Sequence, residues 1–136
     1  MQVAIDVLLE SENLADLCKH IVELPQTNFV FSGAHIYLPG TPHFNFDSGY
    51  GVGLPKNITD VIDRTAITQE SQYLPEVDGH ERGIVTLPFI RHNNVEAVAV
   101  LVLKPGAKRA YIEKDIAPAL GKLAGFYLEA KFGLGH

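Results

Sequence analysis

Histidine is the side chain that most readily performs acid–base or metal chemistry at neutral pH, and the chain contains six of them. Metal-binding histidines recur at short fixed spacings such as His-x-His or His-x-x-x-His, and none of the six follows one. Surface or capping roles are therefore expected. His43 is the candidate exception, because it borders a segment that could form a pocket. The six are His20, His35, His43, His80, His92 and His136.

Hydroxyl and glycine-rich motifs give no catalytic signature either. No Gly-x-Ser-x-Gly elbow frames Ser32, Ser48 or Ser71, so these hydroxyls are expected in turns and caps. The run Gly49–Gly53, GYGVG, lacks the preceding strand and following helix of a dinucleotide loop, and no Lys-Ser/Thr pair follows it. It indicates a connection in which the backbone passes close to another segment. The chain is not expected to be an enzyme; a small enzyme using His43 or Ser71 is the third-ranked alternative.

Composition is that of an ordinary globular domain, with 136 residues, 46% of them hydrophobic and 20% charged. One domain spanning residues 1–136 is expected. The formal charge of −5 argues against a nucleic-acid-binding surface, which needs clustered Lys and Arg. Cys18 is the single cysteine, so no internal disulfide can form. The sequence shows no signal peptide, and no apolar run approaches the ~20 residues needed to span a bilayer. A cytoplasmic location is therefore predicted, with no membrane partner.

Periodic apolar residues predict three helices. The first runs from Ser11, as N-cap, to about Leu24, where Pro25 stops it. The second has a core face formed by Ile58, Val61 and Ile62. A long amphipathic helix closes the chain at positions 112–132, followed by a glycine.

Alternating residues predict strands between these helices. Phe29–Leu38 is the first strand, and His43–Ser48 is a short second strand that the glycine run interrupts. Thr65–Glu70 is expected to be briefly extended. The polar segment Ser71–Arg82 is predicted to be a loop with at most one helical turn.

The longest apolar stretch, Gly83–Leu103, predicts two central strands joined by a two-residue turn at Asn93-Asn94. This turn would place Arg91 opposite Glu96, a favourable charge pair. Side chains alternate between the two faces of such a hairpin. The bulky face, expected to pack the terminal helices, would comprise Leu87, Phe89, Val98, Val100 and Val102. The face with smaller side chains would comprise Ile84, Thr86, Pro88, Ile90, Ala97, Ala99 and Leu101.

Several local strings resemble a GAF domain. The step Leu87-Pro88-Phe89, the hairpin, and the Ala- and Val-rich strand after it are similar to that family, as are Ile112, Asp115 and the helix LGKLAGFYLEA. The resemblance implies an α+β fold of GAF type, related to PAS and profilin. A central antiparallel sheet would carry the N- and C-terminal helices on one face and a pocket-forming excursion on the other.

The sequence departs from several functional subgroups of that family. Bilin-binding members attach the chromophore through a pocket cysteine, whereas Cys18 lies on the first helix, so covalent bilin is not expected and the cofactor is unknown. The Asn-Lys-Phe-Asp-Glu signature of the cyclic-nucleotide-binding members is absent. Methionine sulfoxide reductase members need several cysteines for a disulfide relay, which a single thiol cannot supply.

The smaller face of the hairpin would look toward the excursion at positions 42–82, leaving room for a small-molecule pocket with aromatic walls and few polar groups. The resemblance implies ligand binding at this place. The alternative is that the same side chains simply fill a core. The lining residues would be Phe44, Phe46, Ser48, Tyr50, Ile58, Val61, Ile62, Tyr73, Thr86, Pro88 and Ala99.

The predicted function is a cytoplasmic sensory or regulatory module that binds a small molecule and signals through its terminal helices to an output domain or a partner in trans. The alternative is a ligand-free dimerisation or interaction module with a filled pocket. The resemblance implies a homodimer through the terminal helices, where Gly121 and Gly125 permit close approach. One stripe of each terminal helix would pack on the sheet. A second stripe would be left for the partner subunit, comprising Leu9, Ala117, Ala124, Leu128 and Lys131.

Overall fold

The computed structural model describes residues 13–23, 31–54, 58–74 and 83–104. Within them, a five-stranded antiparallel sheet has one helix packed on each face. The α+β architecture predicted from the sequence is therefore confirmed. The predicted C-terminal helix, its dimerisation stripe and most of the predicted loop before the hairpin lie outside the described residues.

The helices are α1 (Leu14–Glu23) and α2 (Thr59–Thr68). The sheet has the strand order β2-β1-β5-β4-β3, so the long central hairpin lies between β1 and the short strand β3. The strands are β1 (Phe31–Leu38), β2 (Asn45–Gly51), β3 (Tyr73–Leu74), β4 (Ile84–Arg91) and β5 (Asn94–Leu103).

Helix α1 begins two residues later than predicted. The side chain of Asn13 accepts a hydrogen bond from the amide of Asp16 at 2.9 Å, so Asn13 and not Ser11 is the N-cap. Leu17, Cys18 and Ile21 are buried on the sheet, as their spacing predicts. The chain offers two good capping residues close together, and helical periodicity alone does not choose between them.

Helix α2 buries Val61 and Ile62, in agreement with the prediction. The helix continues to Thr68, so the predicted extended segment Thr65–Glu70 is wrong. Thr65 lies one turn after Val61 and donates its hydroxyl to that residue's carbonyl oxygen at 2.8 Å. This bond lets a buried threonine remain in a helix despite its β-branched side chain. Gln69, with φ of 58°, ends the helix.

Strand β2 is longer than predicted, because Gly49, Tyr50 and Gly51 continue it instead of interrupting it. Gly51 pairs with Gly33 of β1 and has φ of 84°. A Cβ at Gly51 would lie 2.3 Å from the carbonyl oxygen of Ser32. The glycines thus let two backbones approach closely, which is the role that the sequence indicated, although they do so inside a strand.

The β4–β5 hairpin is present, but its turn is His92-Asn93 and not Asn93-Asn94. Both turn residues have positive φ, 54° and 65°, as a two-residue hairpin turn requires. Arg91 therefore pairs with Asn94, and a bulge at Glu96 follows. The Arg91–Glu96 charge pair persists across this bulge at 3.8 Å between Nε and Oε1.

The bulge at Glu96 changes the face of every later β5 side chain relative to β4. The displaced turn alone shifts the register by two residues and keeps each side chain on its face, and the bulge adds the one-residue shift that reverses it. Phe89 pairs with Ala97 and not with Val98, and Leu87 pairs with Ala99 and not with Val100. A one-residue slip moves a whole strand's side chains to the opposite face. Leu87 and Phe89 lie on the α1 side as predicted. Contrary to prediction, the α1 side also holds Ala97, Ala99 and Leu101, while the α2 side holds Val98, Val100 and Val102.

Candidate functional site

The α2 side of the sheet is only partly occupied by the helix. Helix α2 packs on β4 and β5, where it closes a small apolar cluster. The buried members are Val61, Ile62, Ile84, Val98, Val100 and Val102, and Tyr37, Phe44, Leu54, Ile58 and Val95 pack around them. The half of this side formed by β1 and β2 carries a different set of side chains.

Three rings lie together on that half, and we call them the aromatic patch: His35 and Tyr37 of β1 and Phe46 of β2. The Tyr37 and Phe46 rings meet edge to face, with centroids 5.7 Å apart, and the centroids of His35 and Phe46 are 6.2 Å apart. His35 is 8% exposed, whereas Phe46 is 57% exposed. Partial burial raises the pKa of Tyr37. The patch therefore combines one open apolar ring with two polar rings.

Gly49 makes room for this arrangement. It pairs with His35 across the β1–β2 ladder, and a Cβ on it would lie 2.3 Å from Nδ1 of His35 and 3.2 Å from Cε2 of Phe46. Real Cβ atoms do not approach that closely. A glycine at this position lets the histidine ring lie against β2 beside the phenylalanine.

The backbone that leaves β2 crosses over β1 on the same side. The amide of Val52 donates to the carbonyl oxygen of Ser32 at 2.9 Å, and the Val52 carbonyl oxygen lies 2.7 Å from Nε2 of His35. A Cβ on Gly33 would lie 2.3 Å from that same carbonyl oxygen. The crossing segment thus depends on a glycine beneath it and on the imidazole beside it.

His43, the histidine singled out from the sequence, forms a hydrogen bond with Asp63 of α2, with 2.8 Å between Nδ1 and Oδ2. Both side chains are substantially exposed, so the pair contributes little to stability. It does connect the segment before β2 to the helix at the border of the site.

A chain of hydroxyl groups lies buried where α2 meets β4. The Oγ1 atoms of Thr65 and Thr86 are 2.6 Å apart, and the amide of Gln72 donates to Thr86 Oγ1 at 2.8 Å. Each polar atom here has a partner, which is the usual condition for burying hydroxyl groups.

The residues predicted to line the pocket divide between the two sides of the sheet. Thr86 lies on the α2 side through its contact with Thr65, and Pro88 shares that side by strand alternation and by pairing with Val98. Most of the predicted set lies there: Phe44, Phe46, Ile58, Val61, Ile62, Thr86 and Pro88.

The placement of four other residues was wrong, because they face α1. Ser48 pairs with Ile36 of the α1-side core, and its carbonyl oxygen lies 3.8 Å from Sγ of Cys18. Tyr50 donates its hydroxyl to Glu23 of α1 at 2.7 Å, a bond that raises the pKa of Tyr50. The remaining two, Tyr73 and Ala99, pack in the α1-side core. A bulge at Asp47 in β2 accounts for Ser48 and Tyr50, and the bulge at Glu96 in β5 accounts for Ala99.

Sequence reasoning missed His35 and Tyr37, expecting the first at the surface or in a cap. Their signal was present, because they alternate with Ala34 and Ile36 along one strand. Alternation shows that His35 and Tyr37 lie on one side of the sheet while Ala34 and Ile36 lie on the other. It does not show which side faces a site, and only the path of the chain after β2 decides that.

Pro88 occupies a strand position that tolerates the missing amide hydrogen. The amide of Thr86 points away from β5 and donates to the carbonyl oxygen of Gln72. Alternate residues of an antiparallel strand point their amides to the same edge, so the nitrogen of Pro88 also faces that edge. Strand β3 begins at Tyr73, and no described strand continues beside Pro88. The proline therefore interrupts no described ladder bond.

Cys18 is poorly suited to thiol chemistry. It is fully buried in the α1-side core, and burial, with a smaller effect of Asp47, raises the pKa of its thiol to about 12. The reactive thiolate is thereby disfavoured. Within residues 13–23, 31–54, 58–74 and 83–104, no three potential metal ligands come together. Neither described helix is long and apolar enough to cross a membrane.

The fold and this half-open site define an α+β domain with a central antiparallel sheet. Comparison with solved structures specifies it further: the chain has the fold of GAF domains. The GAF domain of an Acinetobacter phosphoenolpyruvate-protein phosphotransferase matches with a TM-score of 0.65 and 12% identity, covering 99% of this chain and 93% of that one. The A. aeolicus Nlh2 GAF domain, in an inactive state, matches with a TM-score of 0.69 and 13% identity, covering 96% and 93%.

An enzyme shares the same fold. The free methionine-R-sulfoxide reductase from Neisseria meningitidis, in complex with its substrate, matches with a TM-score of 0.69 and 15% identity, covering 93% of this chain and 83% of that one. No family model matches the sequence, and no curated protein matches it. At these identities the likeness concerns the fold.

Proposed function

We propose that this chain is a sensory or regulatory domain that binds a small molecule at the aromatic patch. The observation that carries the proposal is the exposed ring of Phe46 beside Tyr37 and the buried His35. Small-molecule sites combine apolar and aromatic walls with a few placed polar groups, and the patch has this composition. The Neisseria reductase structure, which contains its substrate, supports the view that the fold can hold a small molecule.

Binding without catalysis is favoured by the chemistry of the single thiol. Cys18 lies on the α1 side of the sheet, whereas the patch lies on the α2 side. Its pKa of about 12 leaves almost no thiolate at neutral pH. A cysteine-based reduction like that of a sulfoxide reductase therefore has no support from this residue.

The strand β2 offers a route from the patch to α1. On the α2 side it carries Phe46, and on the α1 side its Tyr50 hydroxyl and Ser48 carbonyl oxygen contact Glu23 and Cys18. A ligand that binds two positions of β2 with different affinity would shift the equilibrium between them. Signalling through the terminal helices, and a homodimer formed by them in the cytoplasm, belong to the same proposal.

The proposal is tested by native mass spectrometry of protein isolated from cells, followed by a thermal-shift screen of nucleotides, tetrapyrroles, and amino or keto acids. A compound that binds the patch should raise the melting temperature of the wild type and of Ile67→Ala, but not of Phe46→Ala. Ile67 is a matched control, because it is 82% exposed and lies on the helix surface opposite Val61 and Ile62.

An empty native mass, together with no thermal shift from any class, would contradict small-molecule binding and favour the ligand-free interaction module. Light scattering at high protein concentration tests the dimer separately. A monomeric mass there would contradict the dimer without affecting the ligand site.

A further inference from the structure

We infer that His35 is the polar recognition residue of the aromatic patch: its Nδ1 accepts a hydrogen bond from an N–H group of a flat-ring ligand. This inference rests on the proposed function. It begins with the 2.7 Å contact between Nε2 of His35 and the carbonyl oxygen of Val52. A carbonyl oxygen only accepts hydrogen bonds, so Nε2 carries the proton. In the neutral imidazole Nδ1 is then an acceptor.

Nδ1 has no hydrogen-bond partner among the described residues. It is not one of the fully buried side-chain atoms that lack a partner, so it keeps contact with solvent although His35 as a whole is only 8% exposed. A donor from outside the chain can therefore reach this acceptor. The acceptor lies on the Phe46 side of the imidazole, since a Cβ on Gly49 would meet both Nδ1 and Cε2 of Phe46. The unpartnered atom is therefore next to the most exposed ring of the patch.

The surroundings specify the shape of the partner. The 57% exposed ring of Phe46 offers an apolar surface, and Tyr37 meets this ring edge to face. Aromatic rings of this kind favour a flat ring packed in an offset or edge-to-face geometry. An N–H donor on that flat ring would satisfy Nδ1. A ligand that presents only acceptors would leave Nδ1 unsatisfied, and the site would bind it more weakly.

The test compares pairs of flat heterocycles that differ only in carrying N–H or N-methyl groups: benzimidazole with 1-methylbenzimidazole, which differ at one nitrogen, and uracil with 1,3-dimethyluracil, which differ at two. Each compound is titrated into ¹⁵N-labelled protein at neutral pH. The backbone amides of Tyr37 and Phe46 report binding of the ring, and the ring nitrogens of His35 report its tautomer. In the wild type the N–H member of a pair should bind about tenfold more tightly, the effect of one hydrogen bond that is lost without replacement.

His35→Gln is the matched variant, because its side-chain amide can still donate to the Val52 carbonyl oxygen while the acceptor at the Nδ1 position is lost; the amide oxygen that remains lies beside the donor and not at the Nδ1 position. It should bind both members of a pair equally. Ring binding without an N–H preference, or a protonated Nδ1 in the wild type, would overturn the inference and leave the proposed function intact. If no pair perturbs the patch amides, the inference fails, and the native-mass and thermal-shift measurements decide the proposed function separately. The wild-type nitrogen resonances decide the tautomer even if the variant does not fold.

Discussion

The buried hydroxyl chain between α2 and β4 has a defined direction. The backbone N–H of Gln72 donates to Thr86 Oγ1. The hydroxyl group of Thr65 donates to the backbone carbonyl oxygen of Val61. Only Thr86 can then supply the hydrogen in the 2.6 Å contact between the two threonines. Three segments of the chain are joined by this ordered series of bonds.

Thr86→Val keeps the shape of the side chain and removes the middle of this chain. It should lower the free energy of unfolding by about 1–3 kcal/mol, because the Gln72 amide and Thr65 Oγ1 both lose a partner. Urea unfolding measures the change. Thr68→Val is the control, because that hydroxyl is exposed, and it should cost less than about 0.5 kcal/mol. Equal losses in the two variants would contradict the role of the buried chain.

The thiol of Cys18 should react very slowly in the native protein. Burial raises the pKa of this thiol from 9.0 to about 12, which lowers the thiolate fraction at pH 8 about a thousandfold. With a thiol reagent at pH 8, the native chain should react at least ~100-fold more slowly than the urea-unfolded chain. Similar rates in the two states would show that the thiol is accessible.

The same pKa shift makes stability depend on pH at the alkaline end. Above pH 9.0 the unfolded thiol loses a proton that the folded thiol retains until about pH 12. The contribution of Cys18 is therefore complete below pH 9.0 and is lost as the pH rises toward 12. Cys18→Ala should be less stable at neutral pH but should lose stability less steeply over that range. Parallel decline of the two proteins in urea unfolding would argue against this linkage.

At the scale of elements, the position of the hairpin turn can be tested with two neighbouring substitutions. His92 has φ of 54°, a conformation that β-branched residues strongly disfavour, whereas Asn94 already belongs to β5. His92→Val should therefore cost about 1–2 kcal/mol, while Asn94→Val should change stability by less than about 0.5 kcal/mol. Thermal or urea unfolding distinguishes them. The reverse order would support the Asn93-Asn94 turn that the sequence predicted.

The crossing of the chain over β1 depends on Gly33. An added Cβ would lie 2.3 Å from the carbonyl oxygen of Val52, so Gly33→Ala should cost about 1–3 kcal/mol through displacement of that segment. The amide resonance of Val52 should shift as well. Gly53→Ala is the matched control, since a Cβ there meets nothing within 4 Å. An unperturbed Gly33→Ala protein would contradict the close approach.

The elements were predictable from the sequence wherever local periodicity was decisive. Helix α1, β1 and both hairpin strands follow from apolar spacing, and the resemblance carried by Leu87-Pro88-Phe89 implied the correct fold. The register was not predictable in the same way. His92 and Asn93 together adopt positive φ, and adjacent Asn93 and Asn94 are the more usual turn residues, so composition favoured the wrong pair. The bulge at Glu96 then reversed the predicted face of β5.

The candidate site was partly predictable for a related reason. Phe44 and Phe46 lie on the expected side because they precede the bulge at Asp47, and the α2 residues lie there because helical periodicity sets their core face. His35 depends on the glycines at positions 33 and 49, whose meaning emerges only when β1, β2 and the crossing segment are brought together. Close approach of distant backbones leaves no local pattern beyond the glycines themselves.

At the scale of the whole molecule, β1 and β5 separate two differently built layers. The α1 layer is an extensive apolar core, whereas the α2 layer adds the hydroxyl chain, the His43–Asp63 pair and the aromatic patch. Strand β2 lies at one edge of the sheet and takes part in both layers. We expect α1 to respond if a ligand displaces this edge, because β2 contacts α1 directly.

Hydrogen exchange tests that coupling. A compound bound at the patch and present at 100 times its Kd stabilises the native state by about 2.7 kcal/mol, so amides of β5 that exchange through global unfolding should slow about 100-fold. Amides of α1 that exchange through local opening should slow too if β2 transmits occupancy, although α1 packs on the opposite side of the sheet from the patch.

The same compound should leave α1 exchange unchanged in Phe46→Ala, where the open ring is lost. Tyr50→Phe separates binding from transmission, because it removes only the hydrogen bond to Glu23 and leaves the α2 side intact. That variant should keep the protection of residues 44–54 and lose the response of α1. If the wild-type response is confined to residues 44–54 and α2, the domain binds the compound without signalling through α1. A ligand shifts an equilibrium only between states for which its affinity differs.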